Sequence, residues 1–183
     1  MPVVRNKNID VLFPASAIAV RHLELAREIA AHDYKDLLVV SILKGSFIFA
    51  ADLVRAMHDV GLAPEVEFMM LSTYGKGTKP GEVQLLRDVE SNVENRDVLI
   101  VDDILESGKT LTYARDLMLS RGANSVAFAV LLDKRVKRQA ETPFDADYIG
   151  FECPDHFVVG YGMDVAHAFR ELPFVGIVTG DAK

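Results

Sequence analysis

Three carboxylates and a phosphate-type turn lie together in Asp102-Asp103-Ile104-Leu105-Glu106-Ser107-Gly108-Lys109-Thr110, directly after the apolar run Val98–Val101. Ser107 to Thr110 offers backbone N–H groups, two hydroxyls and a helix start, all suited to a phosphate. Carboxylates beside phosphate donors suit a ligand that carries both hydroxyls and phosphate. A ribose phosphate has both: Asp102 and Asp103 can accept from sugar hydroxyls while the turn, Glu106 to Thr110, holds the 5-phosphate. A Walker A loop is excluded, because it needs glycine five residues before Gly108 and position 103 is aspartate. Asp102-Asp103 alone would also suit a solvated strand end that caps the next helix. That reading leaves the third carboxylate and the turn unexplained.

The surrounding pattern supplies the scaffold. Pro14 and Ser16 open a helix with Ile18, Leu25 and Ile29 on one face. Leu37–Leu43 is a nearly continuous branched apolar run, which predicts a strand buried on both faces and hence a parallel sheet. Phe47 to Met57 reads as helix, Glu65 to Leu71 as strand, and Ser72 to Pro80 as a mobile loop. Strands follow at Val83–Leu86, Val98–Val101 and Ser125–Leu132, with a helix from Gly108 to Arg121. After Asp133 only short strand-like runs remain, at Tyr148–Phe151, Phe157–Val159 and Phe174–Val178. The expected fold class is α/β, a parallel twisted sheet flanked by helices with a small C-terminal appendage. In such sheets ligands bind beyond the carboxyl ends of the strands, where Asp102 and Asp103 are expected to fall.

Length and composition narrow the function classes. The 183 residues, half of them hydrophobic, suggest one domain with a sizeable core. A net charge of −7 argues against non-specific nucleic-acid binding, which relies on a basic field. The single cysteine, Cys153, precludes an internal disulfide and fits a reducing compartment. The longest uncharged stretch, Gly122–Leu132, spans 11 residues, short of the roughly 18 that cross a bilayer. Met1 to Phe13 reads as no secretory signal, so no membrane partner and a cytoplasmic location are expected. The five histidines show no metal-ligand clustering. His22, His32, His58 and His167 read as surface or helix-face residues, while His156 stands beside Phe157 and could tune a base-binding site.

The central segment resembles the phosphoribosyl-pyrophosphate motif of the phosphoribosyltransferases, and further motifs narrow the resemblance to the hypoxanthine-guanine group. These are Leu43-Lys44-Gly45-Ser46, Ser72-Thr73-Tyr74-Gly75, Asp133-Lys134-Arg135 and the run from Asp147 through Phe157-Val158 and Gly160-Tyr161-Gly162-Met163-Asp164 to Phe169-Arg170. The resemblance covers about residues 9 to 178. It implies the type I fold as a single domain, with a core at about 14–135 and a hood from about 136–183 joined by the N-terminal segment. It also implies purine salvage: transfer of the 5-phosphoribosyl group from phosphoribosyl pyrophosphate to hypoxanthine or guanine.

By the same resemblance, Glu106 is the general base, although the family usually has aspartate there. Asp102 and Asp103 bind ribose, and Lys44, Gly45, Thr73, Tyr74 and Arg170 contact pyrophosphate. Lys134 donates to the purine 6-oxo group, Phe157 stacks on the base, and Val158 offers backbone groups to its edge. Asp164 holds Mg2+ near the purine, with Asp102 and Asp103 as further metal contacts. The resembled family typically holds the peptide before the lysine at this position cis, which the sequence alone leaves open for Leu43-Lys44. A homodimer or homotetramer is the implied assembly. A regulatory nucleotide-sensing protein of the same fold is the alternative; retention of Lys134, Phe157 and Asp164 weighs against it.

Overall fold

A computed structural model describes residues 2–72, 83–135 and 144–181. The chain opens with strands β1 (Val3–Val4) and β2 (Lys7–Phe13) and helix α1 (Ala15–Ala30). There follow β3 (Leu38–Leu43), α2 (Phe47–Asp59), β4 (Glu65–Ser72), β5 (Gln84–Arg87), β6 (Asp97–Leu105), α3 (Lys109–Ser120), β7 (Ser125–Asp133) and β8 (Tyr148–Glu152). The described chain ends with β9 (Val158–Val159) and β10 (Val175–Asp181).

Six strands form the main sheet in the order β5-β4-β3-β6-β7-β8. All its pairings are parallel except β4 with β5, which adds an antiparallel edge. Alternate residues of the central strands feed opposite cores. Val39, Leu99 and Val101 pack with Ile18, Leu25, Phe49 and Leu53 of α1 and α2, whereas Val40, Val98 and Ile100 pack with Leu111, Ala114 and Met118 of α3. The expectation of strands buried on both faces holds, since burying these branched side chains is what selects a covered parallel sheet. Truncating a fully buried Leu99 or Ile100 to alanine should cost about 2–5 kcal/mol.

Several expectations need correction. β6 does not end at the carboxylates: pairing with β7 continues through Asp102 opposite Val130, Ile104 opposite Leu132 and Leu105 opposite Asp133. Helix α3 begins at Lys109, because Gly108 takes a left-handed φ of 77° and stands outside the helix. β8 (Tyr148–Glu152), one of the short runs expected after Asp133, pairs with β7 in the main sheet. The appendage is itself a four-stranded antiparallel sheet, β1-β2-β10-β9, half of it built from N-terminal residues that carry little strand pattern. Its Val158, Tyr161, Met163 and Val175 join the core on the α1–α2 side, which fastens the hood to the main sheet. Among the described residues no helix is long and apolar enough to cross a membrane.

Candidate active site

The chain order creates the crevice. From β3 the crossover through α2 leads outward to β4, and from β6 the crossover through α3 leads the opposite way to β7. β3 and β6 are therefore adjacent strands where the direction of winding reverses, the place where open α/β sheets bind ligands. Lys44 and Gly45 leave β3 at this point, through a cis Leu43–Lys44 peptide. Asp102 and Asp103 lie beside them, in the last residues of the β6 ladder before it ends at Leu105. A Cβ on Gly45 would overlap the Asp103 carboxylate, so only glycine lets the two strand ends approach so closely.

Two cavities open here and share Asp103, Ile104 and Glu106. The first, about 430 Å³, is lined by the continuous run Asp102–Leu111. Its floor is the start of α3, where Gly108 makes no side-chain cap and Ser107 Oγ accepts only a long 3.4 Å bond from the Lys109 N–H. The uncapped N–H groups and the helix dipole favour an anion at this end. The second cavity, about 670 Å³, brings Lys44, Gly45, Lys134, Phe157, Asp164 and Arg170 to one space, with Val158 also in its wall.

A model of the phosphoribosyl transferase domain matches residues 10–166. The chain belongs to the phosphoribosyltransferase family. It is 41% identical over 175 residues to the hypoxanthine phosphoribosyltransferase of Escherichia coli K12, covering 93% of this chain and 95% of that protein. It is 42% identical over 171 residues to the hypoxanthine-guanine phosphoribosyltransferase of Dictyostelium discoideum, covering 91% of this chain and 93% of that protein. Among solved structures, a hypoxanthine phosphoribosyltransferase from Staphylococcus aureus superposes with a TM-score of 0.84 at 39% identity, over 94% of this chain and 92% of that one.

The electrostatics of this phosphoribosyltransferase concentrate on its acids. Burial, and the negative Asp103 beside it, push the Asp102 carboxyl well above the usual carboxylate range. Burial also raises Asp103, against hydrogen bonds from Asp102 and the Ile104 N–H and the attraction of Arg170. Burial and mutual proximity thus disfavour ionisation of both carboxyls at once. Glu106 is engaged as well: its Oε1 accepts a 2.8 Å bond from the Lys134 ammonium, whose side chain is only 4% exposed. The longer glutamate thus rests on the amine expected to read the purine. Phe157 stands 66% exposed at the cavity mouth, which suits a stacking surface better than a core role.

Asp164 and Arg170 form one unit. Arg170 Nη2 lies 2.7 Å from Asp164 Oδ1, its Nη1 donates to the Gly162 carbonyl at 2.6 Å, and the His167 N–H donates to Asp164 Oδ2 at 2.8 Å. Thr73 and Tyr74 lie outside the described residues, as do Gly75, Gly77, Gly81, Lys137 and Arg138. Among the described residues, no three His, Cys, Asp or Glu side chains stand close enough to hold a metal by themselves. The donors fit magnesium in its usual mode, because Asp103 and Asp164 offer hard oxygens to one cavity and Mg2+ takes the rest from substrate phosphates and water.

Two contributions escaped the sequence reading. Gly162 packs so tightly on the Gly45 carbonyl that a Cβ there would clash, and Tyr161 donates through its hydroxyl to Asp52 on α2. The Gly-Tyr-Gly spacing was a signal for the first. Nothing local pointed to Asp52. His22 was expected on a surface or helix face; it is 4% exposed, packed against Phe49 and Tyr161, with Nε2 unpartnered. Cys153 is buried, and burial raises its thiol, in keeping with packing and not nucleophilic use.

Proposed function

We infer that the chain performs purine salvage, transferring the 5-phosphoribosyl group of phosphoribosyl pyrophosphate to hypoxanthine or guanine with release of pyrophosphate. The observation that carries this is the pair of adjoining cavities, one lined by the phosphate turn and the other by a buried ammonium at Lys134, an exposed ring at Phe157 and the Asp164–Arg170 pair, with Asp103 and Glu106 in the walls of both. The turn at Ser107–Thr110 takes the 5-phosphate, and the Asp102–Asp103 pair takes the ribose hydroxyls. Lys44, Gly45 and Arg170 receive the leaving pyrophosphate. Thr73 and Tyr74 are proposed to complete that contact. Asp164 and the Asp102–Asp103 end would hold Mg2+, which would neutralise the charge that gathers on the leaving group.

Phe157 stacks on the purine and Val158 presents backbone to its edge. Lys134 donates to the 6-oxo oxygen, and a buried donor there disfavours the 6-amino group of adenine. As the base arrives, its oxygen takes over Lys134 and releases Glu106 to accept the proton from the ring nitrogen that attacks the anomeric carbon. The cytoplasm is the compartment that fits this chemistry, and the free Cys153 supports it. A homodimer or homotetramer is the proposed assembly, supported by the exposed Val20 on α1 and Phe47 on α2; light scattering on the purified chain tests it.

The deciding experiment supplies phosphoribosyl pyrophosphate and magnesium with hypoxanthine, guanine, xanthine or adenine in turn. Nucleotide is expected from hypoxanthine and guanine and not from adenine. Absence of turnover with nucleotide still bound would overturn the enzyme reading in favour of a sensor.

A further inference from the structure

The backbone around Asp164 is held in an unusual way. Gly160, Tyr161 and Gly162 have φ values of 95°, 52° and 100°, three consecutive left-handed residues of which only the outer two are glycine. A Cβ at Gly160 would meet the Phe174 carbonyl, and one at Gly162 the Gly45 carbonyl, so both glycines are demanded by close backbone approach. Tyr161 has no such freedom, and a residue with a Cβ stays left-handed only where its surroundings over-determine it.

Those surroundings can be named. The Tyr161 N–H donates to Leu172 O at 2.9 Å, and the next N–H, of Gly162, donates to Arg170 O at 3.0 Å. The Tyr161 ring is 6% exposed and lies 5.7 Å from the His22 ring. Its hydroxyl donates to Asp52 Oδ2, on the helix whose first residue, Phe47, follows Lys44-Gly45-Ser46 directly. The Ser46 hydroxyl is tied in turn to the Ile42 carbonyl and, at 2.8 Å, to Ser41 Oγ. One side of this assembly is thus the Lys44–Gly45 strand end, and the other is the turn that carries Asp164.

We propose that Tyr161 and Asp52 are positioning residues that latch the Gly160–Asp164 turn to α2, setting Gly162 against Gly45 and thereby the Asp164–Arg170 pair against Asp103. Neither residue touches the purine face of the cavity. The latch therefore acts on the pyrophosphate side, through Gly45 and Arg170, and leaves Lys134 and Phe157 in place. The inference rests on the functional reading above for the identity of the ligand.

The test uses Tyr161→Phe, Asp52→Ala and Asp52→Asn in the full chain. It measures KM for each substrate, kcat, and phosphoribosyl pyrophosphate affinity by calorimetry with magnesium. Removing the hydroxyl or the carboxylate should weaken phosphoribosyl pyrophosphate binding about tenfold, the scale of one hydrogen bond to a charged group. The KM for hypoxanthine should change less than twofold, and the double variant should be no worse than either single one. Asp52→Asn, which keeps a carbonyl acceptor, should recover most of the affinity. Unchanged phosphoribosyl pyrophosphate binding in Tyr161→Phe would overturn the latch, as would additive losses or an equal rise in both KM values. Calorimetry needs no turnover, so tight phosphoribosyl pyrophosphate binding by an inactive chain would sink the functional reading while still testing the latch.

Discussion

Nine consecutive residues, Asp102 to Thr110, make most of the sheet-borne half of the site, whereas the hood-borne half gathers Phe157, Val158, Asp164 and Arg170 from a segment with little regular structure. The first half inherits its geometry from a ladder: β6 is paired on both sides, with β3 and β7, and the turn is pinned where the strand gives way to α3. The second half has no such ladder around Asp164. It relies on single ties, Arg170 to Gly162 and Asp164, Tyr161 to Asp52, and isolated bridges at Gly160–Met163 and Val165–Ala168. A repeated pattern of hydrogen bonds spreads a disturbance over many residues. A single tie passes it directly to the group it holds.

The largest effect is expected where the sheet-borne half reads the purine. Lys134 stands just beyond β7, its N–H donating to Leu105 O at 2.9 Å, so its backbone cannot drift when the side chain is changed. Lys134→Ala should lower kcat/KM for hypoxanthine by about 10³–10⁴-fold, because sites that hydrogen-bond a substrate group depend on it heavily. The KM for phosphoribosyl pyrophosphate should stay within a few-fold. Steady-state kinetics with each substrate varied decide it, and unchanged purine kinetics would remove Lys134 from the site.

Glu106 comes next. Glu106→Gln keeps the length and the hydrogen bond to Lys134 but cannot take up a proton, so kcat should fall about 10²–10³-fold with both KM values little altered. Turnover equal to the parent would leave Glu106 as an electrostatic partner of Lys134 and no more. A fall in purine affinity alone would carry the same message, since it would place the whole effect on the ion pair.

The same contrast explains what could be read in the sequence. Val98–Val101 announced itself because a parallel strand covered on both faces must be apolar at every position, and the Ser107–Thr110 turn because its chemistry is contiguous. β2 did not, since only Ile9 of its seven residues is fully buried and its partner β10 lies at the other end of the chain. The extension of β6 through Asp102 and Asp103 was hidden by their charge, which local propensity reads as a stop although the flanking strands keep the ladder going. His22 was within reach: it falls on the Ile18–Leu25–Ile29 stripe at helical spacing, and the stripe outranked its polarity. The Tyr161–Asp52 tie spans 109 residues and has no periodicity to betray it.

Gly45 is where the two halves meet, in contact with Asp103 on one side and Gly162 on the other. Gly45→Ala should push both away and lower kcat/KM about 10²-fold, the scale of a displacement near 1 Å at reacting groups. Gly61 provides the contrast. Its φ of 88° is left-handed and favours glycine, yet no atom lies near its missing Cβ. Gly61→Ala should cost about 1 kcal/mol of stability and leave catalysis alone. Similar losses of activity in both variants would mean that the close approach of Gly45 to Asp103 does not govern the site.

The smallest effect should appear as a slope of stability against pH beneath the hood. Burial holds the His22 imidazole below its ordinary value of 6.5, opposed by the nearby Asp52 carboxylate and a hydrogen bond to the Ile18 carbonyl and aided by Arg55. Below pH 6.5 the unfolded chain takes up a proton that the folded chain resists, so stability falls as pH drops through the window between the two values. The raised Asp102 carboxyl works in the opposite sense, since the folded chain there holds its proton longer and loses stability as pH rises above 3.8. Melting curves from about pH 5 to 7.5 for the parent and His22→Phe separate the two contributions. The variant keeps a ring between Phe49 and Tyr161 but cannot titrate, so its melting temperature should fall less on acidification than that of the parent. Parallel curves would show that His22 meets the proton as readily in the core as in the unfolded chain.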